Sequence, residues 1–288
     1  MTLPPPVAGE RFDFDGIACW TAGSGPPLLL VHSVNAAASA AEVRPLFDDL
    51  QARWTVFAPD LPGFGSSDRR AREYTPRLMT DALLATMRQI RRRAGAAPLP
   101  ALAASLGCEF LARAASEQPA WFSRLALVSP TGLAGTAARR GAPGSTRRVP
   151  GLLPALSVPL WSQPLFGALT RPGVVRYFLE KTWGGPAIDE AMCDYAIRTA
   201  RESGARHAPL AFLSGGLFSA DILSVYESLA MPVWASHGTR GDFTDYRGKV
   251  HLEGRPNWRF TVFEGGALPY FEHRQAFREQ FEAFLRGG

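Results

Sequence analysis

Ser105 stands in the run Ala103-Ala104-Ser105-Leu106-Gly107, with small residues two positions before it and two after. A serine in such a run, between a strand and a helix, is suited to attack on a carbonyl carbon. The requirement is steric. The nucleophile occupies strained backbone at the tip of a sharp turn, and strand and helix nearly touch on either side of it. The turn lifts the hydroxyl clear of the sheet. It also aims the first amide of the helix, that of Leu106, at an oxygen that gains negative charge during acyl transfer. A serine hydroxyl is a weak nucleophile at neutral pH. It needs a neighbour to take its proton, ordinarily a histidine oriented by a carboxylate.

This chemistry needs a strand ending at Ala104 and a helix opening at Leu106. Leu99 to Ala104 is a strand candidate weakened by its alanines, and Leu106 to Ser116 carries a helical pattern. Upstream, Pro27 to His32 is a continuous apolar run, the mark of a strand buried on both faces, and Trp54 to Asp60 is another. Thr80 to Arg93 reads as an amphipathic helix with Leu83, Leu84, Met87 and Ile90 on one side. Arg124 to Ser129 is a further strand. The alternation predicts an α/β fold, a mostly parallel sheet with helices on both faces. From Gly132 to Gly151 the texture changes to Gly, Pro, Ala and Arg, and from about Leu152 to Leu229 it is helical and broken by prolines. That stretch reads as an inserted helical lid. Its aromatics, Trp161, Phe166, Tyr177, Phe178, Trp183, Tyr195 and Phe218, fit either a lid core or the lining of an apolar substrate pocket. Strands resume at Pro232 to His237 and Trp258 to Phe263. A last helix, Arg274 to Leu285, carries Phe277, Phe281 and Phe284 as its buried stripe. The expected organisation is a core from 1 to 131, a lid from 132 to 229, and the rest of the core from 230 to 288.

Two further motifs accompany the elbow, in order along the chain. Leu30-Val31-His32-Ser33-Val34-Asn35 follows the first apolar run, and Ala58-Pro59-Asp60-Leu61-Pro62-Gly63-Phe64-Gly65-Ser66-Ser67-Asp68 follows the second. With the elbow and the C-terminal segments, these resemble the α/β-hydrolase fold family, in its lid-bearing serine hydrolase branch, from about Phe12 to the C-terminus. The resemblance implies that Ser105 is the nucleophile and that the Leu106 amide is one oxyanion donor. The family's His-Gly-x segment corresponds to His32-Ser33-Val34, which implies the Val34 amide as the second donor, with Ser33 in place of the usual glycine. It places the family's acid at Asp242, in the loop after the strand ending at His237. Asp245 is a nearby alternative, and a turn-capping role is the bland reading of Asp242. Ser rather than Asp at the elbow argues against haloalkane dehalogenase and epoxide hydrolase chemistry, which need a carboxylate nucleophile.

The family then sets its histidine in a Gly-His-x-x-x-x-Glu pattern after the last strand. Here that segment is Gly266-Ala267-Leu268-Pro269-Tyr270-Phe271-Glu272. Gly266 and Glu272 keep register, so alanine occupies the histidine position. The chain has five histidines, and none is compelling as a substitute. His273 lies six residues past the slot. His32 fits a brace for the oxyanion loop, and His237 fits a structural hydrogen bonder. His207 lies in the lid and could dip into the pocket. His251 lies in the loop before the last strand. Three explanations stand open: natural divergence toward another reaction or toward binding, a replacement that inactivates an ordinary Ser105-His-Asp242 hydrolase, or a base supplied by a remote group or by the substrate. The resulting expectation is a protein that acts on a small apolar ester, thioester or related carbonyl compound through Ser105 without the usual base. The alternatives are a non-catalytic binding protein, or a lyase or isomerase on the same scaffold.

The 288 residues fit one large domain or a core with an inserted lobe, and 46% are hydrophobic, enough for a full core. The net charge is +5. The arginines fall in short groups rather than one stripe, with no nucleic-acid-binding motif, so solvated helix ends and loops explain them better than a polyanion or membrane-surface role. Three widely spaced cysteines, Cys19, Cys108 and Cys193, suit neither a disulfide scaffold nor a zinc site. Histidine spacing offers no metal motif, and no glycine-rich phosphate loop follows a strand, so no metal or cofactor is expected. The N-terminal MTLPPPVAGERFDF lacks the features of a signal peptide, and no apolar run is long enough to span a membrane. A cytoplasmic location is the expectation.

Overall fold

The chain is described from a computed structural model covering residues 3–287. Eight strands form one sheet among these residues. They are β1 (Glu10–Phe14), β2 (Ile17–Ala22), β3 (Pro27–Val31), β4 (Thr55–Pro59), β5 (Leu99–Ala104), β6 (Phe122–Val128), β7 (Val233–Gly238) and β8 (Trp258–Phe263). The order across the sheet is β1-β2-β4-β3-β5-β6-β7-β8. The first two pairings, β1 with β2 and β2 with β4, are antiparallel, and all the others are parallel. The expected mostly parallel sheet is present. Sequence reasoning missed the β1–β2 hairpin, although Asp15-Gly16 was a usable signal. Both residues have positive φ, as a primed two-residue hairpin turn requires.

Alternation along the central strands divides the core in two. Leu29, Val31, Ala101, Ala103, Leu125 and Leu127 face one side, where α2 (Pro76–Ala94), α3 (Gly107–Glu117) and α9 (Ile222–Ser228) cover them. Leu28, Leu30, Leu102, Ala104, Ala126 and Val128 face the other, under α1 (Arg44–Leu50) and α11 (Arg274–Leu285). The stripe on α11 is the expected one: Phe277, Phe281 and Phe284 are buried, with ring centroids 5.1–6.0 Å from that of Trp234. Helix α2 begins four residues before the expected start, because Thr75 caps it through Leu78 N–H and Pro76 takes the first helical position.

Between β6 and β7 the chain forms α4 (Leu152–Leu156), α5 (Pro159–Leu169), α6 (Pro172–Trp183), α7 (Glu190–Thr199), α8 (His207–Leu213) and α9. Helices α6 and α7 bury Val175, Leu179, Trp183, Met192 and Cys193 in the second core. These side chains share a hydrophobic cluster with the second face of the sheet. A short helix, α10 (Pro269–Glu272), follows β8. No helix is long and apolar enough to cross a membrane among the described residues.

Candidate active site

Ser105 falls between β5 and α3 with φ +50°, a left-handed conformation that costs an L-residue of this kind about 1–3 kcal/mol. The surroundings enforce it. Ser105 N–H donates to Val128 O at 2.8 Å, and Ser105 O accepts from Cys108 N–H at 3.0 Å. The crossing is as tight as the small-residue spacing predicts, since a Cβ at Gly107 would lie 2.4 Å from the carbonyl oxygen of His32. Leu106 has helical dihedrals immediately before α3, so its amide stands at the helix N-terminus.

A cavity of about 370 Å³ opens over this turn. Ser105, Leu106, Val34, Asp242, Asp245 and Ala267 all line it. The structure therefore gathers these six residues, drawn from segments more than two hundred residues apart in the chain. The remaining wall comes largely from the helical segment, through Leu179, Thr182, Met192, Phe212 and Phe218.

The loop at Ser33-Val34-Asn35 is held by a carboxylate that sequence reasoning overlooked. Buried Glu42 accepts Ser33 N–H at 2.8 Å and the Asn35 side-chain amide at 2.6 Å, and it too lines the cavity. No pattern in one sequence marks a residue that acts across a turn in this way.

Ala267 is tied on both sides. Its N–H donates to Thr182 O of α6 at 2.8 Å, and its carbonyl accepts from Ser129 Oγ at 2.6 Å. Its neighbour Gly266 lies against α6 so closely that a Cβ would come within 2.6 Å of Trp183 Cα. The Gly266 N–H donates to Glu272 at 2.7 Å. Gly266 and Glu272 thus shape this turn.

Asp242 sits at the cavity rim with its side chain 57% exposed, 3.6 Å from Lys181 Nζ. Asp245 accepts from Gly135 N–H and from Arg247, whose guanidinium holds its carboxyl below the usual range. None of the five histidines lines the cavity. His32 is fully buried, with Nε2 accepting Leu61 N–H at 2.9 Å and Nδ1 2.5 Å from Ser33 O, so both nitrogens are engaged. His237 stacks on Tyr246 at 4.0 Å, and burial lowers its pKa. His207 borders a separate surface cleft with Asp68 and Arg69, away from Ser105. His251 is 3.0 Å from Thr136 O, and His273 is 3.2 Å from Glu264 O.

One buried acid lies just behind the wall. Glu109 of α3 accepts from Thr131 Oγ1 at 2.6 Å and from Ser219 N–H at 2.8 Å, and burial pushes its pKa up to about 7. Among the described residues no group of three or more His, Cys, Asp or Glu could hold a metal ion. The three cysteines are buried and free.

A strained serine at a strand–helix turn, beneath an eight-stranded sheet's carboxyl edge, defines a hydrolase-type scaffold. The family model of the alpha/beta hydrolase fold matches residues 26–183, more than half of the chain, and the chain belongs to this family. Comparison with curated proteins gave no match. Among solved structures, the chain resembles 2-hydroxy-6-oxo-6-phenylhexa-2,4-dienoate hydrolase from Rhodococcus sp. strain RHA1. That pair has a TM-score of 0.75 and 19% identity over 97% of this chain and 98% of the other. Cfl2 from Burkholderia cenocepacia gives 0.69 and 22%, over 96% and 95%. A thermophilic esterase from Thermogutta terrifontis gives 0.70 and 17%, over 94% and 93%. At these identities the likeness is one of fold.

Proposed function

We propose that this chain is a serine-hydrolase-type protein that takes a small apolar ester, thioester or related carbonyl compound, with Ser105 as nucleophile. The carbonyl oxygen is received by the amides of Val34 and Leu106. The helical segment from 132 to 229 acts as the lid over this site. Proton removal from Ser105 is left to the substrate or to solvent, since Ala267 fills the position of the base. The observation that carries this reading is the conformation of Ser105. Its unfavourable φ, held by hydrogen bonds to Val128 and Cys108, sets Ser105 in the cavity wall at the strand–helix turn. Turnover is accordingly slow and confined to substrates with good leaving groups. That the structural neighbours include a protein described as a dienoate hydrolase and another as an esterase is in keeping with this reading.

The test is Ala267→His assayed on a panel of p-nitrophenyl esters, with Ser105→Ala beside it. Position 267 faces the cavity, so an imidazole there would share it with Ser105. A positioned general base contributes about 10² to 10⁴ in rate. An increase in that range, abolished by Ser105→Ala, is the expected result. A folded Ala267→His protein no faster than the parent chain would sink the proposal.

A second reading, binding without turnover, is favoured by the engagement of Asp242 with Lys181, which leaves the acid nothing to orient. It predicts ligands that raise the melting temperature equally in the parent chain and in Ser105→Ala. Loss of binding in that variant argues for the first reading.

A further inference from the structure

Between Glu117 and Glu180 the chain has no aspartate or glutamate, yet it carries seven arginines, six of them in the helical segment from Arg139 to Arg176. Helix α5 within that stretch has no charged side chain at all. It buries only Ser162 and Phe166 and turns Leu160, 81% exposed, and Trp161 outward. Helix α6 does the same on its far side. Val175, Leu179 and Trp183 point inward, while Tyr177 and Phe178 are exposed and touch each other with ring centroids 5.5 Å apart. A helix facing water normally carries polar residues on its outer side, and contiguous exposed apolar side chains mark a surface that meets something else. Cations border the apolar chains. Arg171 is exposed at the junction of the two helices, and Lys181, whose Nζ is 3.6 Å from Asp242, lies 5.6 Å from the Tyr177 ring. Arg140, Arg148 and Arg176 pair with Glu227, Glu73 and Glu190 at the edges. Arg171 has no carboxylate ion pair among the described residues, whereas Arg147, also without one, lines the Ser105 cavity and lies 5.1 Å over the Phe218 ring.

We infer that the outer face of α5 and α6 seats this protein on an anionic lipid surface. Leu160, Trp161, Tyr177 and Phe178 enter the headgroup boundary, and the neighbouring cations meet the lipid phosphates. Helix α5 carries no charge and α6 a single acid, Glu180 beside Lys181, and such a sparsely acidic apolar face bordered by Arg is complementary to a continuous negative surface. The contact is peripheral, because no described helix can span a bilayer. Leu179 and Thr182 of the same α6 line the cavity, so one helix faces lipid on one side and ligand on the other. The inference does not depend on the chemistry of Ser105.

The experiment is sedimentation of the full chain with vesicles of equal parts phosphatidylcholine and phosphatidylglycerol, beside vesicles of phosphatidylcholine alone. The protein is expected to pellet with the mixed vesicles at least about tenfold more tightly than with the neutral ones, and less tightly as salt is raised. Leu160→Asp and Phe178→Asp each weaken this by about tenfold or more, the effect of withdrawing one large apolar side chain. Arg171→Glu reduces the preference for anionic vesicles. All three side chains are exposed, so unchanged melting curves confirm that folding is intact. No pelleting with either vesicle overturns the inference, as does equal pelleting with both. A dimer in analytical ultracentrifugation that Phe178→Asp dissociates, without vesicle binding, would assign the face to a second copy of the chain and overturn it too.

Discussion

Ser105 and Glu109 lie four residues apart and show opposite relations between sequence and structure. The tight turn at Ser105 is legible because the constraint is local: small neighbours on both sides are needed for it, and they stand in the sequence. Glu109 looks like an ordinary helix carboxylate until α3 docks and removes it from water. In the folded chain it holds its proton up to about pH 7, against 4.5 ordinarily. A raised carboxylate favours folding fully below the unfolded value, and that contribution is lost as pH rises through the folded one. Stability is therefore expected to fall between about pH 4.5 and 7 by roughly 3 kcal/mol on account of this group. Urea denaturation across that window should show the fall in the parent chain and not in Glu109→Gln. Asp242 carries a second expectation. With no imidazole to orient, Asp242→Asn should change any Ser105-dependent rate less than about twofold. The triad alternative, in which the acid fixes the histidine tautomer, demands a loss near 10⁴.

At the level of elements, the parallel strands and α11 were readable because each is one apolar run or one clean stripe. The β1–β2 hairpin and α1 were not read, since neither has a long periodic signal. The inner packing of α6 was also invisible, because it depends on a turn some eighty residues downstream at Gly266. That contact is testable. Gly266→Ala would press a Cβ onto the Trp183 backbone, which has no flexible end to give way. A marked drop in melting temperature is expected, as for other overpacked sites costing about 1–3 kcal/mol. A second junction joins α3 to the start of α9, where Arg113 meets Asp221 at 2.6 Å with side-chain exposures of 14% and 5%. Asp221 also accepts Gly144 N–H at 2.8 Å. Asp221→Ala would strand a buried guanidinium and is expected to cost about 3–5 kcal/mol in calorimetry or denaturant titration.

The whole molecule is unevenly secured. The sheet has a dense core on each face, whereas residues 134–151 and the outer sides of α4 and α5 are largely exposed. Segments with few buried apolar contacts open at lower free energy than the core. Brief trypsin treatment should accordingly cut first after Arg139, Arg140, Arg147 or Arg148, with both flanking fragments remaining associated. Mass spectrometry of the first products checks this, and early cuts within the sheet strands would contradict it. The double tie on Ala267 bears on how the cavity admits a ligand. Ser129, at the end of β6, and Thr182, on α6, hold the two sides of a single peptide residue. Ala267 therefore works as a rivet between the rigid sheet and the helix that walls the cavity. Lifting α6 either shears this rivet or drags the turn from 265 to 268 along with it, pulling Ser129 off its acceptor. Widening the mouth and deforming the site beside Ser105 are then one motion, resisted by these two hydrogen bonds together with the burial of Val175, Leu179 and Trp183.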